Sequence, residues 1–384
     1  MVTTVDLPPR LKARLSQGHP WVYRTQVPGA SGLASGSWVR VRCGGFSGYG
    51  LWDADSSIAI RLFSRHGVPD APWVAGRVEE AWALRSSIRG TPTTAYRWVY
   101  GEGDGLPGVV VDLYGEFAVI ETFVESVDAL VPWVADALHA HARLQGIVWR
   151  RRGADPSMYW GRRPPTDLVV EEHGLLFHAD LWAGQKTGLF HDQRENRRAL
   201  APFCHGQSVL DCFSYTGGFA LHAARAGASA ILAVDRSREA LQAAQRNFDL
   251  NEMDAERQTW NVEDGFEALE RLAREGRRFG VVVLDPPSLA RDKESRPGAE
   301  RAYVRLNRMA LACVEPGGLL ASASCTSQVS PEAFRDALAE AARLAGRRLQ
   351  IVHEAGQPVD HPVPACFPEG RYLKFVIARV LRLA

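Results

Sequence analysis

Four acidic or sulfur-bearing side chains close apolar runs in the second half of the chain. Asp211 follows Val209-Leu210, Asp235 follows residues 231–234, Asp285 follows Val281-Val282-Val283-Leu284, and Cys325 follows residues 319–324. A cysteine thiolate is a soft nucleophile that can add to C6 of a pyrimidine and leave again. The addition makes C5 of cytosine enamine-like and raises the basicity of N3, where a carboxyl group stabilises the adduct. Cys325 and Asp285 are the residue types this chemistry needs, and they close consecutive runs. An ordinary thiol has a pKa of about 8.5, so a reactive one calls for local positive potential. Cys325 can equally be a small buried apolar residue, and residue type alone leaves both readings open.

The elements that must position these groups begin at Ser208. Residues 208–237 read as strand, turn, helix and strand, with Gly217-Gly218 in the turn and Gly227 ending a helix over 219–226. This is the first half of a doubly wound sheet, whose ligands bind outside the carboxyl ends of the strands. A dinucleotide site needs Gly-x-Gly-x-x-Gly for a pyrophosphate cradle. Here Phe213 and Tyr215 stand at the early glycine positions, and no cradle is evident. S-adenosylmethionine has no phosphate and carries a sulfonium cation. Gly217 and Gly218 suit the close turn it needs, and Asp235 suits its ribose hydroxyls; another nucleotide, or none, remains the alternative.

The α/β alternation continues downstream. Ser237 caps a helix with Leu241, Ala244 and Phe248 on one face, and a strand over 258–262 leads to Glu263-Asp264. Asp264 reaches the adenine amino group or caps the next helix, and the two roles can coexist. Residues 291–301 read as a charged loop, and residues 303–314 as a helix stopped at Pro316-Gly317-Gly318. Ser330 and Pro331 start another helix. Runs at 349–352 and 372–380 close the sheet, the last pair antiparallel. Residues 184–194 form a polar, glycine-bracketed loop of the kind that walls a ligand.

Residues 1–70 read as all-β, with Trp38-Val39-Arg40-Val41-Arg42 alternating as in a half-buried strand. Arg10, Lys12, Arg14, His19, Arg24, Arg40 and Arg42 make this end basic, and Trp21, Tyr23 and Trp38 offer stacking surfaces. A small β-barrel of this kind can grip RNA, or its aromatics are simply core. Residues 69–72 read as a linker, 78–89 and 127–144 as helices, and 109–111 with 117–120 as a hairpin. A strand at 147–149 empties into Arg150-Arg151-Arg152, near Tyr159, Trp160, Arg162 and Arg163. That cluster suits phosphate, or is a solvated loop. Glu171-Glu172-His173-Gly174 is poorly spaced for a metal site and reads as a hairpin turn.

The 384 residues suggest two or three domains. Hydrophobic content of 46% and charged content of 23% are ordinary for a globular protein. No apolar run approaches the ~20 residues of a membrane span, and the N-terminus has no apolar signal core. Six cysteines without a Cys-x-x-Cys pair indicate neither a zinc knuckle nor a disulfide framework, and fit a reducing cytoplasm. A net charge of +1 gives no global field, so any RNA contact is local.

Together, several stretches resemble a known family: His19-Pro20-Trp21-Val22-Tyr23, Gly103-Asp104-Gly105-Leu106-Pro107-Gly108, Glu171-Glu172-His173, residues 184–194, Asp211-Cys212-Phe213-Ser214-Tyr215-Thr216-Gly217-Gly218-Phe219, Asp285-Pro286-Pro287, Ser324-Cys325, Asp360-His361-Pro362 and Pro368-Glu369-Gly370. The family is the bacterial large-subunit ribosomal RNA cytosine-5 methyltransferases. The resemblance covers nearly the whole chain. It implies an N-terminal all-β PUA-like barrel over 1–70 that binds RNA, a central "EEHD" α+β domain over 73–183, and a Rossmann-like class I methyltransferase domain over 184–384. It implies S-adenosylmethionine as donor and a cytosine of 23S ribosomal RNA, free or in an assembling large subunit, as acceptor. It implies Cys325 as nucleophile and Asp285 as the carboxylate holding the base. Asp211, Phe213, Ser214, Thr216, Gly217, Asp235, Asp264, Gln193 and Lys186 would line the cofactor pocket. A metal and a membrane are not expected; a homodimer is left open.

Two departures stand out. Most RNA cytosine-5 methyltransferases carry a second cysteine after the proline of the strand-four motif, whereas this chain has Pro286-Pro287-Ser288, leaving the base for the C5 proton unassigned. Gly174 stands where the central motif ends in Asp, which affects a turn. Two rival readings remain. An N-methyltransferase on guanine or adenine is similar in its Asp-Pro-Pro, but Ser288 cannot stack on a base and an amine acceptor needs no cysteine. A non-catalytic ribosome-assembly factor needs neither Cys325 nor Asp285.

Overall fold

Alternating side chains build the first sheet. In Trp38–Cys43, Val39, Val41 and Cys43 turn inward while Arg40 and Arg42 face solvent. The computed structural model describes residues 2–27, 32–184, 186–290 and 294–383. Its contacts separate into two units. One comprises Met1–Glu172, Ala179–His191 and Val359–Gly370; the other comprises His173–His178, Asp192–Pro358 and Arg371–Ala384.

The first unit opens with β1 (Thr3–Asp6), α1 (Lys12–Ser16), β2 (Trp21–Tyr23), β3 (Trp38–Cys43), β4 (Phe46–Trp52) and β5 (Ile58–Ser64). Their sheet has the order β1-β3-β4-β5-β2. The short α1 adds Leu15 to the core formed by Val22, Val39, Val41 and Ile60. The linker read at 69–72 is corrected. Asp70 accepts from the Trp73 amide at 3.0 Å and caps α2 (Ala71–Leu84), placing Pro72 in the first turn, where a missing N–H costs nothing. A short α3 (Ser86–Arg89) follows.

The second sheet of this unit contains β6 (Ala95–Tyr100), β7 (Val109–Tyr114), β8 (Phe117–Thr122), then α4 (Val131–His141), β9 (Gly146–Arg151) and β10 (Ser157–Gly161), in the order β10-β9-β8-β7-β6. Trp98, Val111, Ile120, Val134 and Leu138 fill the space between sheet and helices. Two arginines there take bidentate carboxylate partners, the buried Arg85 on Asp104 and the half-buried Arg97 on the buried Asp112. The chain reaches β11 (Val169–Glu172) and turns at His173 and Gly174, which have φ of 49° and 77°.

The second unit begins with β12 (Leu175–His178) and α5 (Arg194–Leu200). The alternation then runs β13 (Ser208–Cys212), α6 (Gly218–Arg225), β14 (Ala230–Asp235), α7 (Arg238–Leu250), β15 (Thr259–Val262), α8 (Gly265–Arg274), β16 (Phe279–Leu284), α9 (Arg296–Ala312), β17 (Val314–Ser324), α10 (Pro331–Leu344), β18 (Arg347–Ala355) and β19 (Lys374–Arg382). The sheet order is β15-β14-β13-β16-β17-β19-β18, with the first five strands parallel and β19 antiparallel to both neighbours. The order reverses direction between β13 and β16, the switch point at which open sheets bind ligands.

Two readings are corrected here. Residues 296–301, taken as loop, are the first turns of α9. Pro297 fits the open first turn, Arg296 pairs with Glu300 at 2.7 Å, and Ala299 and Tyr303 are buried. Residues 291–293 of that loop lie outside the described residues, as does Gln185. The Pro316-Gly317-Gly318 break lies inside β17 rather than before it. There the register jumps from Phe279↔Val314 to Val281↔Leu319, a bulge that absorbs the residues a flat strand cannot hold.

Candidate active site

The turn between β13 and α6 is strained where a dinucleotide site would have glycine. Phe213 and Tyr215 have φ of 63° and 48°, and Gly217 has φ of 75°. Surrounding bonds hold this backbone. Asp235 accepts from the Tyr215 amide and, on its other oxygen, from the Ser237 amide, both at 2.9 Å. The Ser214 amide donates to Val234 at 3.1 Å. The buried Asn247 of α7 donates to the Thr216 carbonyl at 3.0 Å. Asp235 thus ties the first two strand tips together.

Asp211 lies beneath this turn. One oxygen accepts from the Ala220 amide at 3.0 Å, whereas Oδ1 is buried with no hydrogen-bond partner among the described residues. Burial pushes its carboxyl up to about 8; the Ala220 amide pulls it back, while Asp285 and Asp235 push it further. Three carboxyl groups therefore converge at adjacent strand tips. Asp264 is exposed and caps α8, accepting from the Phe266 amide at 2.9 Å and from Glu267. The Phe213 ring lies over the start of the same helix, where a Cβ on Gly265 would come within 2.5 Å of it. Asp264 and Phe266 also line a depression of about 490 Å³ with Glu267, Arg301, Ala302 and Arg305.

Asp285 follows β16 and Cys325 follows β17, which are parallel neighbours. Gln193 donates Nε2–H to Asp285 at 2.8 Å, and its own Oε1 accepts from Asn196 at 2.6 Å. The half-buried Cys325 thiol donates to the Pro286 carbonyl at 3.7 Å, linking the two tips. The second unit therefore gathers Gln193, Asp211, Phe213, Ser214, Thr216, Gly217, Asp235, Asp264, Asp285 and Cys325. Lys186 is not among them. It belongs to the first unit, where its ammonium lies 4.2 Å over the Phe190 ring and its carbonyl accepts from Arg150.

Residues that the sequence reading passed over also face this region. Lys374 on β19 donates from its ammonium to the Thr326 and Tyr372 carbonyls. Tyr303 is fully buried, near both Asp285 and Cys325. A lone lysine entering the apolar stretch Phe375-Val376-Ile377-Ala378 was the available signal. Nothing in the spacing pointed to Gln193 as the partner of Asp285.

Several residues considered for RNA contact are committed to the fold. Arg14 pairs with Glu369 at 2.8 Å, Arg42 with Asp6 at 2.9 Å, and Trp21 donates to Glu102 at 2.8 Å. Arg24 caps the Asp53 and Ser56 carbonyls, and Arg150 those of Trp182, Gly184 and Lys186. Arg151 pairs with Asp128 at 3.1 Å. Arg152, Arg162, Arg163, Tyr159 and Trp160 are exposed. His173 pairs with Glu195 at 3.0 Å, and among the described residues no cluster of three or more His, Cys, Asp or Glu is placed to hold a metal.

The residues fit S-adenosylmethionine. The carboxyl-lined strand tips of Asp235 and Asp285 suit a ligand with a cationic sulfur and oppose a pyrophosphate, and a nearby cation would draw the raised carboxyl of Asp211 back towards its ionised form. Residues 116–368 match the S-adenosylmethionine-dependent methyltransferase family, and residues 5–65 match the PUA-like domain. Fold and sequence thus define an S-adenosylmethionine-dependent methyltransferase carrying an N-terminal PUA-like domain. Among its relatives are the ribosomal RNA large subunit methyltransferase I of Shewanella denitrificans, 35% identical, and that of Shewanella amazonensis, 36% identical; each alignment covers 99% of this chain and 100% of the relative. The chain belongs to the ribosomal RNA large subunit methyltransferase I family. In fold it is similar to SMU.776, a protein classed as a methyltransferase and solved in complex with SAH. That match has a TM-score of 0.90 and 22% identity, and covers 99% of this chain and 100% of the other. The multidomain reading, a PUA-like all-β start and a Rossmann-like methyltransferase fold, is borne out. No helix among the described residues is long and apolar enough to cross a membrane.

Proposed function

We propose that this protein makes 5-methylcytosine in large-subunit ribosomal RNA, with Cys325 as nucleophile and Asp285 as the group that holds the base. The observation carrying this reading is the adjacency of β16 and β17, which sets a carboxyl and a thiol on neighbouring tips beside the switch point. The proposal keeps the three-part division 1–70, 73–183 and 184–384, with RNA gripped by the first part, and a cytoplasmic location.

S-adenosylmethionine, when bound, supplies an electrophilic methyl group. Cys325 adds to C6 of the cytosine, and the electron pair of the C5–C6 bond moves towards C5. Asp285, fixed by Gln193, hydrogen-bonds the N3 edge of the ring and stabilises the adduct. The methyl group would pass to C5 as its bond to the donor sulfur breaks, the C5 proton would go to a water, the electron pair left at C5 would restore the C5–C6 double bond, and the C6–S bond would break to return the thiolate. Phe213, Ser214, Thr216, Gly217, Asp235 and Asp264 line the cofactor side, and Asp211 supports the turn from beneath.

The test is transfer of labelled methyl from S-adenosylmethionine to ribosomal RNA, with mass mapping of the modified nucleotide. Label in 5-methylcytosine is expected with the wild-type protein and background only with Cys325→Ala. Label on a guanine or adenine nitrogen, or unchanged transfer by Cys325→Ala, overturns the proposal. An RNA carrying 5-fluorocytidine has no C5 proton to lose and should trap a covalent adduct through Cys325.

A further inference from the structure

Lys374 is a cation in an apolar strand. Phe375, Val376, Ile377 and Ala378 beside it are buried, and Lys374 itself is 3% exposed. Strand register sets it opposite Ser324, the residue before Cys325. Its ammonium donates to the carbonyl of Thr326, the residue after Cys325, and to that of Tyr372 at 2.8 Å. The lysine therefore brackets Cys325 along the chain. Among the described residues no carboxylate forms an ion pair with it. Burying an ammonium without an anion is costly. Burial lowers Lys374 to about 8; Cys325 is the group that works against that depression, while Arg371 adds to it.

Two described titratable groups near Cys325 carry no positive charge. Tyr303 of α9 is held in its neutral form by burial, and Asp285 at the tip of β16 opposes a second negative charge. The Pro286 carbonyl accepts the thiol hydrogen and so favours the neutral sulfur. We infer that Lys374 is the buried counter-ion of the Cys325 thiolate, a positioning residue that keeps the sulfur ionised near neutral pH once its proton has passed to solvent. The use of that thiolate in methyl transfer rests on the reading of Cys325 as nucleophile. The ion pair itself does not.

Ionisation is read from the pH dependence of Cys325 alkylation by iodoacetamide, in the full chain without cofactor or RNA. Peptide mass mapping separates Cys325 from Cys366, the other half-buried cysteine. Lys374→Met raises the midpoint by about one unit or more, so that alkylation at pH 7 slows roughly tenfold. Lys374→Arg keeps the charge and returns the midpoint towards wild type. An unchanged midpoint in folded Lys374→Met protein overturns the inference. Where that variant fails to fold, the reciprocal measurement decides. Cys325→Ser removes the anion and lowers the titration midpoint of Lys374, followed by NMR of carbon-13-labelled lysine side chains; no change there overturns the inference too. Neither measurement involves methyl transfer. A Cys325→Ala protein that still methylated RNA would sink the nucleophile reading and leave the ion pair to its own test.

Discussion

Asp211 combines full burial, one backbone hydrogen bond and two carboxyl neighbours, and its titration is displaced accordingly. An unfolded aspartate titrates near 3.9, whereas burial lifts the folded group to about 8. The folded protein therefore binds the extra proton between those values. The stabilisation from the protonated carboxyl is complete below about pH 4 and is lost as pH rises through about 8. Asp211→Asn keeps an acceptor for the Ala220 amide but cannot ionise. Relative to wild type, the cofactor-free variant should gain stability between pH 5 and pH 8, by at most about 4 kcal/mol given about 1.4 kcal/mol per unit. Thermal melts of both proteins across that range check the sign. A constant difference would mean that Asp211 is ionised throughout. Any fixed cost of the new amide N–H group shifts both ends equally and leaves the slope untouched.

At the scale of elements, α7 does more than cover the sheet. Asn247 and Asn251 lie one turn apart. Asn251 accepts from the Leu176 amide at 2.9 Å and donates to its carbonyl at 2.7 Å, while Asn247 accepts from the His178 amide at 2.9 Å. The two side chains thus satisfy backbone groups of β12 that pair with no strand there, and Asn247 also holds Thr216 in the strained turn. Asn247→Leu fills similar space but strips a partner from two backbone groups. It should cost about 2–4 kcal/mol, seen as a lower denaturant midpoint, and should weaken cofactor binding by loosening residues 213–217. Such links join residues far apart in sequence, which is why they were hidden there. The β13–α6–β14 unit was legible because apolar runs, Gly217 and Gly227 all act locally. The start of α9 was not: its charges read as loop, and only burial of Ala299 and Tyr303 against neighbouring elements makes it an amphipathic helix. Lys374 was missed because its carbonyl partners depend on how β19 lies against β17.

For the whole molecule, a net charge of +1 means that a polyanion is not drawn in by an overall field. Counting basic residues in sequence exaggerates what is available, because Arg14, Arg24, Arg42, Arg150 and Arg151 spend their guanidinium groups on carboxylates and carbonyls of their own unit. Arg152, Arg162 and Arg163 are exposed, with none of them in a carboxylate ion pair among the described residues, and the exposed Tyr159 and Trp160 lie on the intervening β10. Arginine over aromatic surface suits an RNA backbone with unstacked bases. If these cations neutralise phosphates, each contributes released counter-ions, and the affinity for ribosomal RNA falls steeply with salt. Replacing all three by Gln should weaken binding most at low salt and reduce the slope of log affinity against log salt by about one for each phosphate that is no longer neutralised. Arg42→Gln, which removes a guanidinium already paired with Asp6, should leave that slope unchanged. Filter binding across a salt series distinguishes the two, and equal slopes for the triple variant and wild type would mean that RNA approaches by another face.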